Sequence, residues 1–129
     1  MFSFFVEGKP QGKARPRFSR GHTYTPKTTV EYEKKIASAY NGDMLCGALW
    51  LDITAFFGVP KSYTKKQREA IKSGEYPQKK PDADNIAKVV LDALNGVAYE
   101  DDKQVVRVTI SKVYSFEKEG LEIEIGVVE

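Results

Sequence analysis

The run from Asp82 to Asn95 limits the fold more than any other stretch of the chain. Its apolar residues fall at Ile86, Val89, Val90, Ala93 and Leu94, with Val97 just beyond. That spacing of three, four, seven and eight builds one apolar face on a helix, and such a face must be buried against another layer. On either side lie segments of a different period. Ala48–Phe57 alternates Leu49, Leu51, Ile53, Ala55 and Phe57 with a mixed set, as a central strand does. Gln104–Phe116 is a longer alternating run, and Leu121–Val128 follows it. Strands and helices therefore interleave, and neither an all-α nor an all-β chain is tenable.

The remaining elements follow in chain order. Met1–Glu7 reads as a strand stopped by Gly8. Residues 8–27 read as a long loop, because their glycines and prolines oppose regular structure. Thr28 or Thr29 caps a helix running to about Tyr40, with Tyr32, Ile36 and Tyr40 four apart and Asn41-Gly42 closing it. Ser62 or Thr64 caps a short basic helix ending at Gly74. The last two strands, joined by Glu117–Gly120, are expected to form a hairpin. The order is β-α-β-α-α-β-β, an α/β chain of the α+β type. It is expected to be one domain over residues 1–129, with a small mixed four-stranded sheet and helices packed on it.

Composition narrows the function classes. The single cysteine, Cys46, excludes an internal disulfide, and one histidine, His22, is too few for a usual zinc site. A reducing, cytoplasmic location is expected, with no membrane partner, since no apolar run approaches a spanning length. Net charge is only +2, but it is unevenly spread. Residues 1–81 carry 15 Lys and Arg against 7 Asp and Glu, whereas residues 82–129 carry 5 against 11. A basic half beside an acidic half suits an enzyme that holds a polyanion with cations and metal ions with carboxylates. The alternating Lys13, Arg15 and Arg17, then Arg20, are expected to follow a phosphate backbone, and Lys79 and Lys80 stand just before the first aspartates.

Asp82 and Asp84 sit where the amphipathic helix begins, Lys88 lies one turn on from Asp84, and Asp101 and Asp102 follow after a turn. Hard oxygen donors of this kind suit Mg²⁺, which takes one or two carboxylates and keeps water and phosphate oxygens in its other positions. Each residue also has an ordinary explanation. Asp82 is a good N-cap, Asp84 suits the helix dipole, Asp84–Lys88 and Lys88–Asp92 are i,i+4 surface pairs, and Asp101-Asp102 suits a turn. Those explanations do not say why two acidic pairs bracket one helix. The EF-hand pattern fails, because Ala87 and Ala93 stand where glycine and glutamate are required.

The run KPDADNIAKVVLDALNGVAYEDDKQV resembles the signature of the RusA family of Holliday-junction resolvases. The matching elements are Asp-x-Asp-Asn-x-x-Lys, then Asp-Ala-Leu, then Asp-Asp-x-Gln-Val, and GKARPR and TYTP are similar to segments of many members. The resemblance implies a small homodimeric endodeoxyribonuclease that uses Mg²⁺ or Mn²⁺ and nicks branched DNA, the four-way junction, symmetrically on two strands. By position it implies Asp82, Asp84 and Asp102 as essential, metal-holding carboxylates and Lys88 as the catalytic lysine. Asp101 is a further metal-ligand candidate, with Glu100 adding an acid beside it. Asp92 matches a helix aspartate with a supporting role. Leu91, Tyr99 and the N-terminal strand are candidates for the subunit contact. Two other classes stay in view, a non-catalytic, structure-selective nucleic-acid-binding module and a small-nucleotide phosphohydrolase. The latter lacks a phosphate-cradling glycine loop.

Overall fold

The computed structural model describes residues 1–129. Its main sheet contains β1 (Phe2–Glu7), β4 (Leu49–Gly58), β5 (Val105–Ser115) and β6 (Gly120–Val127), in the spatial order β1-β6-β4-β5. β6 runs antiparallel to both β1 and β4, while β4 and β5 are parallel. Three helices join these strands: α1 (Lys27–Ala39), α2 (Lys65–Lys72) and α3 (Ala83–Leu94). This is the expected mixed four-stranded sheet with helices, and β4 is central as its alternation requires.

The pairing of the last two strands differs from expectation. β5 and β6 do not form a hairpin, because β4 lies between them. The Glu117–Gly120 connection passes over the end of β4, where the Glu119 carboxylate accepts the Gly58 N–H at 3.1 Å. The pattern of β4 explains the choice. Its alternate residues Leu49, Leu51, Ile53, Ala55 and Phe57 are all buried under the helices, which places it in the middle of the sheet with its backbone paired on both edges. The register brings Ile53 opposite Ile123 of β6 and Ile110 of β5.

One face of the sheet meets the helices. Ile86, Val89, Val90, Ala93 and Leu94 of α3 and Tyr32 and Ile36 of α1 share a core with β4 and β6. The other face carries Asp52, Thr54, Glu122 and Glu124 and is partly exposed, as is usual where antiparallel pairing allows one solvated face. α2 starts at Thr64 with a full capping box, the threonine hydroxyl accepting from Gln67 N and the Gln67 amide oxygen accepting from Thr64 N. α1 begins earlier than expected, behind Pro26, and Thr29 is buried in its first turn rather than capping it. Residues 8–27 are not featureless. They contain a small hairpin of β2 (Arg17–Ser19) and β3 (His22–Tyr24). No helix is long and apolar enough to cross a membrane.

Ile53 is fully buried at the middle of the central strand. Ile53→Ala should lower unfolding free energy by about 2–5 kcal/mol in a urea titration, through lost burial and a residual cavity.

Candidate active site and nucleic-acid interface

The helix start at Asp82 is unusual in what it leaves undone. Asp82 occupies the N-cap with extended backbone angles, yet its side chain accepts no capping hydrogen bond. The i,i+4 pairs that would explain Asp84, Lys88 and Asp92 are not formed either, since the ion pairs in the structure are Lys13–Glu33, Lys13–Asp92 and Lys27–Glu31. Asp82, Asp84 and Lys88 are exposed, with their charged ends uncommitted. Their three charged ends are therefore available to a ligand.

The second acidic pair divides its work. Asp101 caps a single turn of 3-10 helix, Asp102–Gln104, its carboxylate accepting Lys103 N–H at 3.0 Å. Asp101 is thereby occupied, and Asp102 is the member whose carboxylate remains free. Gln104 fixes this turn. Its amide oxygen accepts the N–H groups of Glu100 and Asp101 at 3.1 and 3.2 Å. Its amide nitrogen donates to the carbonyls of Leu45 and Gly47 at 3.3 and 3.1 Å. Tyr99 ties the same segment to α3 by donating its hydroxyl to Leu91 O at 2.7 Å. Burial, then the charges of Asp102 and Asp92, push the Tyr99 phenol well above its ordinary range. Tyr99 is fully buried and so is not a subunit contact, and Leu91 is half-buried against the core.

Asp82 and Asp84 stand at the start of α3, whereas Asp102 is held beside its later half, near Asp92 and Tyr99. The crossover between the parallel strands β4 and β5 separates Asp102 from the helix start. No three acidic, histidine or cysteine side chains converge closely enough to enclose a cation within one chain. The donor chemistry still fits a hard divalent ion, since Asp82 and Asp84 offer two uncommitted carboxylates and such an ion retains several waters.

Lys13 departs from the expected row of exposed cations. Its ammonium bridges Glu33 of α1 at 2.9 Å and Asp92 of α3 at 3.2 Å, with the side chain 15% exposed. Burial pulls its pKa down, but the hydrogen bonds and charges of the two carboxylates more than offset this, and the net shift is upward. Lys13 N–H also donates to Asn85 O at 2.9 Å. Gly12 allows this close approach, because a Cβ there would lie 2.8 Å from that of Asn85. The N-terminal loop is thus bolted to the first turn of α3. Arg15, Arg17 and Arg20 remain exposed beyond it.

Lys79 and Lys80 line a groove of about 610 Å³ at the ends of β4 and β5, together with Lys9, Lys61 and Lys118 and with the carboxylates of Glu117 and Glu119. Lys9, Lys61 and Lys118 were not legible as a group, being 52 and 57 residues apart in the chain. Lys79 lies 5.7 and 5.4 Å from the rings of Tyr63 and Tyr114, and its carbonyl accepts the Lys112 ammonium at 2.6 Å. The Tyr114 phenol is pushed up to about 12, first by its hydrogen bond with Tyr63 and then by burial. This packing holds the segment leading into Asp82.

Two comparisons bear on the site. The family model described as "Endodeoxyribonuclease RusA" matches residues 7–126. The chain belongs to the RusA family. It is also 37% identical over 125 residues to the uncharacterized protein YqaN of Bacillus subtilis (strain 168), covering 88% of each chain. RusA membership makes this a chain of an endodeoxyribonuclease family, and the matched span includes every site residue discussed above.

Two outcomes follow. Gln104→Ala should lower stability by about 0.5–1.5 kcal/mol in a denaturant titration, because the side-chain hydrogen bonds that hold the turn, one of them part-buried, are lost. The raised pKa of Lys13 means its contribution is complete below the ordinary lysine value of 10.5 and is lost as pH rises through the folded value. The stability difference between wild type and Lys13→Met should therefore be constant from pH 7 to 9 and shrink only above about 10.5.

Proposed function

We propose that this protein is a metal-dependent endodeoxyribonuclease that resolves four-way DNA junctions by paired, symmetric nicks, acting as a homodimer with Mg²⁺ or Mn²⁺. The observation that carries this reading is the set of uncommitted charges on α3, where Asp82 declines its cap bond and Asp84 and Lys88 decline their ion pair. Asp82, Asp84 and Asp102 would hold the ion. When bound, it would supply an activated water and neutralise charge on the scissile phosphate. Lys88, one turn from Asp84, is positioned to meet a phosphate oxygen as negative charge grows on it. Lys9, Lys61, Lys79, Lys80 and Lys118 hold the backbone of one DNA arm in the groove, and the exposed Arg15, Arg17 and Arg20 hold further phosphates.

A two-fold protein is the simplest maker of two symmetric cuts. β5 is an eleven-residue edge strand with Val106 and Val108 63% and 36% exposed, a surface that single chains normally protect. Antiparallel pairing of two β5 strands about a two-fold axis would set the start of one beside the end of the other. The start carries Asp102, and the end adjoins Lys112, Lys79 and hence Asp82. Such a dimer would bring Asp102 of the partner subunit toward Asp82 and Asp84, the convergence one chain lacks.

The test is cleavage of a labelled synthetic four-way junction beside a matched linear duplex. Wild type with Mg²⁺ should give paired symmetric nicks, and chelator should abolish them. Asp82→Asn should lower the rate at least about a hundredfold, since losing even an indirect support of a metal costs roughly 10- to 100-fold. Tight junction binding without cleavage under any metal would instead favour a binding module. Lys79→Gln should leave the fold intact and reduce the slope of log affinity against log salt by about 0.9, as expected for one lost phosphate contact.

A further inference from the structure

The hairpin of β2 and β3 is a finger built to stay bare. Its two-residue turn, Arg20-Gly21, has φ of 52° and 80°, and Arg20 is the one non-glycine residue of the chain with positive φ. Positive φ at both positions defines the type I′ turn that matches strand twist. Arg17 pairs with Tyr24, Phe18 with Thr23 and Ser19 with His22, so directly opposed residues share a face. Phe18 and Thr23 occupy one face, and Arg17, Ser19, His22 and Tyr24 the other. All six are exposed, so neither face packs on the body of the protein. A two-stranded hairpin with no packed face is marginal on its own.

The base of the finger, by contrast, is firmly held. Lys13 anchors one end to α1 and α3, and buried Pro26 begins α1 at the other. Phe18 is five residues from Lys13, so even an extended chain keeps it within about 18 Å of that anchor beside the helix start.

Phe18 is also the exposed phenylalanine without a partner. Phe5 lies near Phe56 and under Lys118, and Phe116 lies under Lys72, whereas Phe18, at 72% exposure, has neither ring nor cation against it. Its surroundings are cationic. Between Glu7 and Glu31 there is no acidic residue, while Lys9, Arg15, Arg17 and Arg20 fall there without an ion pair, and Lys13 and Lys27 there are paired. A solitary ring in a field of this sign suits a polyanion that carries flat faces of its own. A base in continuous duplex is already stacked on both sides, but one at a branch point has a face to offer.

We propose that Phe18 stacks on an exposed base at the DNA branch point, so that the finger is the element that distinguishes branched from linear DNA. The exposed arginines Arg15, Arg17 and Arg20 hold the flanking phosphates, and they contribute to both kinds of DNA alike. This rests on the junction reading of the preceding subsection, but not on cleavage.

The test is equilibrium binding of the full chain to a fluorescent four-way junction and to a linear duplex of the same arm sequence. Chelator is present throughout, so that a failure of the nuclease reading leaves the assay readable. Phe18→Ala should lower the branched-to-linear affinity ratio by about tenfold while leaving duplex affinity unchanged, the size expected for one lost base–aromatic stack. Phe18→Trp should keep the ratio, and its added indole emission should be quenched by the junction and not by the duplex. Arg17→Gln should weaken both complexes equally. An unchanged ratio in Phe18→Ala, an equal loss on both DNAs, or a wild-type ratio of one would each overturn the proposal.

Discussion

The parallel pairing of β4 with β5 is the constraint on which the rest depends. Parallel neighbours cannot be joined by a tight turn, so the chain must leave the end of β4, cross a face of the sheet and return to the start of β5. α2 and α3 make that crossing, and the apolar face of α3 covers the sheet as it goes. The functional consequence is positional. The start of α3, with Asp82 and Asp84, falls near the end of β4, and the turn carrying Asp102 falls near the start of β5. One crossover both builds the core and separates the two acidic groups.

The charges around α3 are sorted by whether they have partners. Asp92, Glu33 and Lys13 neutralise one another where exposure is low, and Gln104 and Asp101 spend their polar atoms on the turn. Burial without such partners would be costly. Asp82, Asp84 and Lys88 are left without partners at the surface, where water meets the cost and a ligand can displace it. The paired groups brace α3, so the free groups sit at a rigid element, as the proposed site requires of its scaffold.

Much of this was legible in the sequence, and the failures have physical causes. The 3.6 period of Ile86–Leu94 and the twofold alternation of Leu49–Phe57 are local signals, and both elements formed as read. The four-residue link Glu117–Gly120 looks like a hairpin turn, yet β4 lies between β5 and β6 and pairs its backbone with both. Nothing local to Lys13 reveals that Glu33 and Asp92, 20 and 79 residues away, will turn it inward from an otherwise exposed cationic row. The same holds for Gln104, whose carbonyl partners Leu45 and Gly47 lie in a distant loop. The finger was hidden because glycine and proline opposed regular structure on average, while Arg20-Gly21 specified one particular turn. The dense motif from Asp82 to Gln104 carried the family, which spans residues 7–126.

The proposed site is complete only if the two acidic groups meet across a dimer. The most direct measurement is nicking of a four-way junction by a purified heterodimer of Asp82→Asn and Asp102→Asn chains, each of which should be inactive alone. If Asp82 and Asp84 of one subunit work with Asp102 of the partner subunit, the heterodimer holds one intact site and should nick a single strand. If each chain assembles its own site, both sites in the heterodimer are damaged, and activity no higher than that of either parent would contradict the account.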